Sequence, residues 1–346
     1  MFIAENIDRF RAHFVQRLHD LLDSGELGAF ILVLANSMQD AETRAQLDAK
    51  LRQVFTQHCE AWQAGELQAA PDDMQVFGQL MESGIDDYSA WRICHKPPWL
   101  QFYNPLRALR PARASAETVS GLNKPFNPDG FHFNKPFLRA EQLWQGELAT
   151  DTQRIGLTVF YNKFPFMPYH FILAPEAGAC MPQYLQPDYH EMIWTLCMQQ
   201  AASLPGLGVG YNSIGACASV NHLHFQGFIH TDLLPVESPQ WQHQGGDSPY
   251  PMPCTVFEDV DSAWQAIHLL HQQNQPYNLL YRPGRCYVLR RKMQGDPAVR
   301  PRVQGAGWIE AVGVFAEADS QAIEQLDAAQ LQADIHSLAA TTVNAG

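Results

Sequence analysis

Ala218-Ser219-Val220-Asn221-His222-Leu223-His224-Phe225-Gln226 places two imidazoles and an amide at every second residue of a strand-like run. Side chains at i, i+2 and i+4 of a β-strand share one face, so His222, His224 and Gln226 are expected on a common surface. Such a comb suits phosphoryl chemistry. One imidazole can attack phosphorus, its neighbour can hold the tautomer, and a neutral amide can hydrogen-bond a phosphoryl oxygen without adding charge. The motif alone also fits a structural His-x-His pair or two metal ligands, and both alternatives stay open at this point.

The flanking sequence supplies strands and one helix. Ile155 to Tyr161 is a β-rich run, Lys163 to Pro168 a proline-punctuated turn, and Tyr169 to Ala174 a second strand ending at Pro175. Close neighbours of this kind pair antiparallel. Asp188 with Glu191 resembles a capping box that opens a helix running to Leu204, where Pro205-Gly206 stops it. Two more strands are expected at Gly208 to Ser213 and Ser219 to Ile229, joined across Gly215. Further on, a helix over Ser262 to Gln273 precedes a hairpin whose strands flank Pro283-Gly284. A strand at Gly307 to Phe315 and one terminal helix over Ser320 to Leu338 follow.

Upstream, Ile7, Phe10, Phe14, Leu18 and Leu21 have helical spacing, as do Leu47, Leu51, Val54, Phe55 and Trp62. Gly65 to Pro71 reads as the turn that ends this helical lead-in. Trp99 to Tyr103 is an expected strand, followed by Arg107, Arg110 and Arg113, which read as a solvated linker face with phosphate binding as the alternative. Phe131-His132-Phe133-Asn134-Lys135 alternates as a strand does, with Asn134 and Lys135 candidates for a pocket edge. These expectations amount to an α+β fold. Residues 1–90 form a helical extension, 91–235 carry the histidine motif, and 236–346 repeat its order in degenerate form, packed as one unit with the first half.

Composition narrows the function. The 346 residues carry a formal net charge of −13, which argues against nucleic-acid or anionic-membrane partners, since those need a basic face. No apolar run reaches membrane-spanning length. The start, with Glu5, Asp8, Arg9 and Arg11, lacks a signal-peptide core, so a cytoplasmic protein is expected. The seven cysteines are scattered, odd in number and without a Cys-x-x-Cys pair, a poor disulfide framework and a poor zinc site. They are expected reduced and mostly buried.

The longer phrase from Gly208 through Gly210-Tyr211-Asn212-Ser213-Ile214-Gly215-Ala216 to Asn221-His222-Leu223-His224-Phe225-Gln226 resembles the active-site segment of the histidine-triad superfamily. It is similar to the branch with Gln at the third position: galactose-1-phosphate uridylyltransferase, diadenosine tetraphosphate phosphorylase and the GDP-sugar phosphorylases, most of all the GDP-L-galactose and GDP-D-glucose phosphorylases. Phe131 to Lys135, Tyr169-His170 to Pro175, and Tyr277 to Leu280 with the hairpin are looser echoes, with Asn134 and Tyr169 departing from the group's usual residues. The resemblance covers about residues 95 to 315.

The resemblance implies a nucleotidyl-histidine mechanism. His224 matches the nucleophile, His222 the first triad position, and Gln226 the residue that contacts the transferred phosphoryl group. Ser219 and Asn212 match polar positions at phosphate or leaving group, His170 the supporting strand histidine, and Asn162 a position near the nucleoside. Backbone amides around Gly215 and cations drawn from Arg282, Arg285, Arg290, Arg291 and Lys292 are candidates for balancing phosphoryl charge. The expected substrates are a small-molecule nucleotide and inorganic phosphate, most simply a GDP-hexose. A dinucleoside polyphosphate, a non-catalytic nucleotide-binding role and a metal-dependent reaction through His222 and His224 are the alternatives. No metal and no cofactor are expected.

Overall fold

The computed structural model describes residues 2–88, 90–109, 119–150, 152–317 and 319–340. Helices α1 (Ile7–Leu21), α2 (Leu27–Ser37), α3 (Ala41–Gln63) and α4 (Pro71–Ser83) come first. Asn6 and Asp40 cap α1 and α3 by accepting from the Arg9 and Thr43 amides, which the first helical turn otherwise leaves orphaned. Helical spacing predicts α1 and α3 but misses two elements. The α2 residues are apolar almost all round, as in a fully enclosed helix, and Pro71 starts α4 where its missing N–H costs nothing.

After strands β1 (Arg92–Lys96) and β2 (Trp99–Tyr103) and the short α5 (Pro105–Ala108), the chain makes β3 (Gln142–Ala149), β4 (Arg154–Tyr161), β5 (Phe171–Pro175), α6 (Pro187–Gln200), β6 (Leu207–Asn212) and β7 (Phe225–Ile229). It continues through β8 (Cys254–Phe257), α7 (Val260–Gln272), the hairpin β9 (Tyr277–Arg282) and β10 (Arg285–Arg290), then α8 (Trp308–Ala311), β11 (Val314–Glu317), α9 (Ser320–Gln325) and α10 (Ala328–Leu338). Eight strands form one sheet in the order β3-β4-β5-β7-β6-β9-β10-β8. Every pairing in it is antiparallel. Residues 142–229 and 254–290 therefore share a single sheet, joined where β6 meets β9 and Asn212 lies opposite Asn278. A smaller sheet, β1-β2-β11, ties residues 92–103 to residues 314–317.

Alternation along the strands sorts the two faces. Tyr161, Phe171, Phe225, Val209 and Tyr281 point into the core built with α1 to α4, α6 and α7. Phe14 of α1 packs edge-on against Tyr161 at 4.7 Å, and the Tyr161 hydroxyl donates to the Phe14 carbonyl at 2.7 Å. The opposite face carries Phe160, Ile172, Gln226 and Gly210, which are successive cross-strand partners. Trp308 and Phe228 cover the far end of that face.

Several local expectations give way to the structure. Strand β7 begins only at Phe225, so His222 and His224 leave the strand face and sit in the loop of residues 213–224, where Gly215 and Cys217 take positive φ. Residues Phe131 to Lys135 form turns instead of a strand. Tyr169 has φ 49° and stays outside β5. Helix α6 starts at Pro187 with Gln186 before it, so Asp188 lies inside the first turn instead of capping it. The segment 307–315 splits into α8 and the start of β11, because Gly313 turns the chain at φ 91°. The terminal helix is two, α9 and α10, with Asp327 capping the second. Only Cys197 and Cys286 are buried; the other cysteines are partly exposed and all seven are free. No helix among the described residues is long and apolar enough to cross a membrane.

Candidate active site

The loop of residues 213–224 delivers His224 to the edge of a cavity of about 610 Å³ lying over the Phe160–Ile172–Gln226 face. What fixes this histidine is its own turn. Its Nδ1 lies 2.8 Å from the His222 carbonyl oxygen, and a carbonyl only accepts, so Nδ1 carries the proton and Nε2 keeps the lone pair. Burial pushes its pKa down to about 4, which leaves a neutral ring at pH 7. Gln183 clamps the same residue's backbone: its Oε1 accepts the His224 amide at 2.8 Å while its Nε2 donates to the carbonyls of His224 and Asn212.

His222 takes another place. Its Nδ1 accepts the Phe133 amide at 3.0 Å, and its Nε2 is buried near the Ala177 carbonyl without reaching hydrogen-bond geometry. Burial and the neighbouring His224 lower its pKa to about 4. It is a support: its backbone oxygen orients His224, and its ring anchors the turn around Phe133.

Two side-chain amides line the cavity beside His224, and both present their NH2 ends. The Gln226 Oε1 accepts the Trp308 indole N–H at 2.7 Å. The Asn212 Oδ1 accepts the Asn278 side chain and the Trp308 backbone N–H, each at 2.7 Å. With the oxygens held by donors, each nitrogen is left as the group available to a phosphoryl oxygen. Gly210, the cross-strand partner of Gln226, makes room for this. A Cβ there would run into the Trp308 indole, which stacks on Phe228 with ring centroids 5.3 Å apart.

Ser219 is exposed at the cavity wall. Asn162 also lines it, its Oδ1 accepting the Phe164 amide and its Nδ2 lying 3.4 Å from His170 Nε2. His170 sits beneath, fully buried, with its pKa lowered to about 3 by desolvation and then by Arg107, and within electrostatic reach of Gln226. Gly215 lies outside the cavity lining; it keeps φ 79° and closes the loop by accepting the Gln294 amide.

The cations differ from expectation. Arg282 is paired with Glu237 at 2.9 Å and donates to the Gly206 carbonyl. Arg285 meets Glu258, Arg291 donates to the Ala306 carbonyl, and Lys292 donates to Ser337. None of these, nor Arg290, lines the cavity. Arg107 and Lys163 do. Arg107 donates to the Phe164 carbonyl at 3.0 Å and lies over the Phe166 ring at 4.9 Å. Lys163 is bridged to Asp73 of α4 at 2.5 Å. Arg110 and Arg113 lie outside the described residues. Trp308 and Gln183 were not among the sequence candidates, because their contacts to Gln226 and His224 cross 82 and 41 positions with no local signature.

Residues 98–228 match the sequence model of the family described as GDPGP1-like, N-terminal domain. The chain is 32% identical over 129 residues to GDP-D-glucose phosphorylase 1 of Bos taurus, covering 36% of this chain and 33% of that protein. It is 30% identical over 134 residues to GDP-L-galactose phosphorylase 2 of Arabidopsis thaliana, covering 34% and 30%. The chain thus spans about a third of the length of the curated relatives it matches. This is the group that the phrase from Gly208 to Gln226 resembles. Among solved structures, the yeast Ap4A phosphorylase Apa2 in complex with Ap4A aligns over 79% of this chain and 98% of that one, at 15% identity and a TM-score of 0.49.

Proposed function

We propose that this chain is a nucleotidyltransferase that works through a nucleotidyl-His224 intermediate and phosphorolyses a GDP-hexose to GDP and hexose 1-phosphate. The observation that carries the reading is the Nδ1 contact of His224 with the His222 carbonyl. It leaves Nε2 as the unprotonated atom of a residue at the cavity wall. The choice of GDP-hexose rests on the names of the sequence relatives.

In the first step the Nε2 lone pair attacks the α-phosphorus, and the bond from that phosphorus to the bridging oxygen breaks. Hexose 1-phosphate leaves with the bond's electrons. The ring becomes a phosphorylated imidazolium, whose charge the His222 carbonyl stabilises through the Nδ1–H. The NH2 groups of Gln226 and Asn212 donate to the phosphoryl oxygens, and Arg107 offsets charge that the acidic chain otherwise repels. In the second step an oxygen of inorganic phosphate attacks the same phosphorus, the P–N bond breaks, and GDP forms with His224 restored. A phosphate oxyanion needs no base to attack, whereas water does. Gln226 cannot take a proton, which favours phosphate as the acceptor.

Product analysis tests this. Incubation with GDP-glucose should give GDP and glucose 1-phosphate only when phosphate is present. Conversion to GMP at one rate with and without phosphate would make the reaction hydrolytic and overturn the proposal.

A further inference from the structure

The end of the cavity remote from His224 has its own chemistry. Glu141, just before β3, lines it together with Phe131, Phe137, Lys163 and Asp73. Asp73 is occupied by Lys163 at 2.5 Å. The Glu141 carboxylate has no hydrogen bond or ion pair among the described residues. Phe131 and Phe137 are 38% and 57% exposed, with ring centroids 6.5 Å apart, so this end offers unusually accessible aromatic faces. Between Glu141 and the catalytic end lies an apolar floor, Phe160 and Ile172.

Spacing fits a nucleoside. Phe160, Ile172 and Gln226 are successive cross-strand partners, and on the strand side beyond Phe160 the Glu141 carbonyl accepts the Tyr161 amide at 3.2 Å. Three strand intervals span about 14 Å at the usual separation. A nucleotide whose α-phosphate meets Gln226 and His224 therefore extends its base towards Glu141 across the floor.

We infer that Glu141 is the base-reading residue of this cavity, its ionised carboxylate accepting from the two adjacent donors, N1–H and the exocyclic NH2, of a guanine ring stacked against Phe131 or Phe137. The inference deepens the proposed GDP-hexose reaction and rests on it for the position of the phosphate. A carboxylate offers two acceptors side by side and so complements guanine. Adenine presents an acceptor, N1, beside the donor N6, and meets the same carboxylate with one attraction and one repulsion. Burial pushes Glu141 up to about 7; Lys163 opposes the rise, and Asp73 and Glu26 add to it. Two donors from guanine stabilise the ionised form, so guanine binding draws the group back towards ionisation.

Glu141→Gln tests the assignment, because an amide presents one acceptor and one donor, the complement of adenine. The measurement is kcat/KM for GDP-glucose and for ADP-glucose in wild type and variant, with Glu141→Asp as the variant that keeps both acceptors. The preference for GDP-glucose should fall about 5- to 150-fold in Glu141→Gln, the value of one bidentate base contact, and persist in Glu141→Asp. An unchanged ratio, including an equal fall for both substrates, would overturn the inference, since a structural or ribose-binding glutamate acts on both bases alike. Should wild type turn over neither sugar nucleotide, the reaction proposed above fails separately. Calorimetric binding of GDP and ADP to the same proteins then reads the same ratio and decides the inference alone.

Discussion

Trp308→Phe separates positioning from chemistry. The indole N–H to Gln226 is 2.7 Å long and the tryptophan is fully buried. Phenylalanine keeps a ring against Phe228 but removes the donor. The half-buried Gln226 oxygen then loses its partner, a cost of about 0.5–1.5 kcal/mol in stability because water reaches it, and its amide loses the contact that turns the NH2 towards the phosphoryl group. Deleting a transition-state donor outright costs about 10²–10³ in rate. A donor left in place but unoriented should lose part of that, about 10- to 100-fold in formation of the histidine adduct, with KM nearly unchanged. Rapid-quench single turnover of α-phosphate-labelled GDP-glucose measures the step. Because Trp308 acts through Gln226, the double variant Trp308→Phe/Gln226→Ala should be no slower than Gln226→Ala alone. Additive losses, or an unimpaired Trp308→Phe beside a slowed Gln226→Ala, would refute the reasoning.

Two further expectations concern charge. His170 is held down to about 3, and His222, His224 and the buried His190 of α6 to about 4, all mainly by burial, while the unfolded chain titrates near 6.5. Between these values the unfolded state binds protons that the folded state refuses, so stability falls as pH drops below about 6.5. A single such group contributes a slope of about 1.4 kcal/mol per pH unit. Denaturant titrations at pH 7 and pH 5 should show the loss, and equal stabilities would contradict it. Arg282→Met should unfold the protein more easily by about 3–5 kcal/mol, because Glu237 is left buried and unpaired. It should leave the KM for phosphate in the folded fraction unchanged; a raised KM would return Arg282 to the site.

The sequence discloses what local pattern encodes. Apolar and β-branched runs bounded by turn residues marked β4, β6 and the Pro283-Gly284 hairpin, because those strands bury both faces and pair with neighbours close in the chain. His224 and Gln226 were legible as residues. The means of holding them was not, since the strand assumed for His222 and His224 is a turn and the lock is a main-chain oxygen. Trp308 gave no sign, because its role depends on Gly210, far back in the chain, leaving space for its indole. The charged residues of the hairpin misled for the converse reason: Arg282 finds Glu237 across 45 positions, a pairing that no local charge pattern records. Arg107, by contrast, reached the cavity because α5 turns it back onto Phe166.

The measurement closest to the central claim is mapping of the covalent intermediate. Wild-type protein incubated with α-phosphate-labelled GDP-glucose without phosphate, quenched and digested, should carry acid-labile label on the peptide containing His224. The label should discharge as GDP when phosphate is added, and it should be absent from His224→Asn. Label retained by that variant, or found on His222 or another residue, would contradict the account.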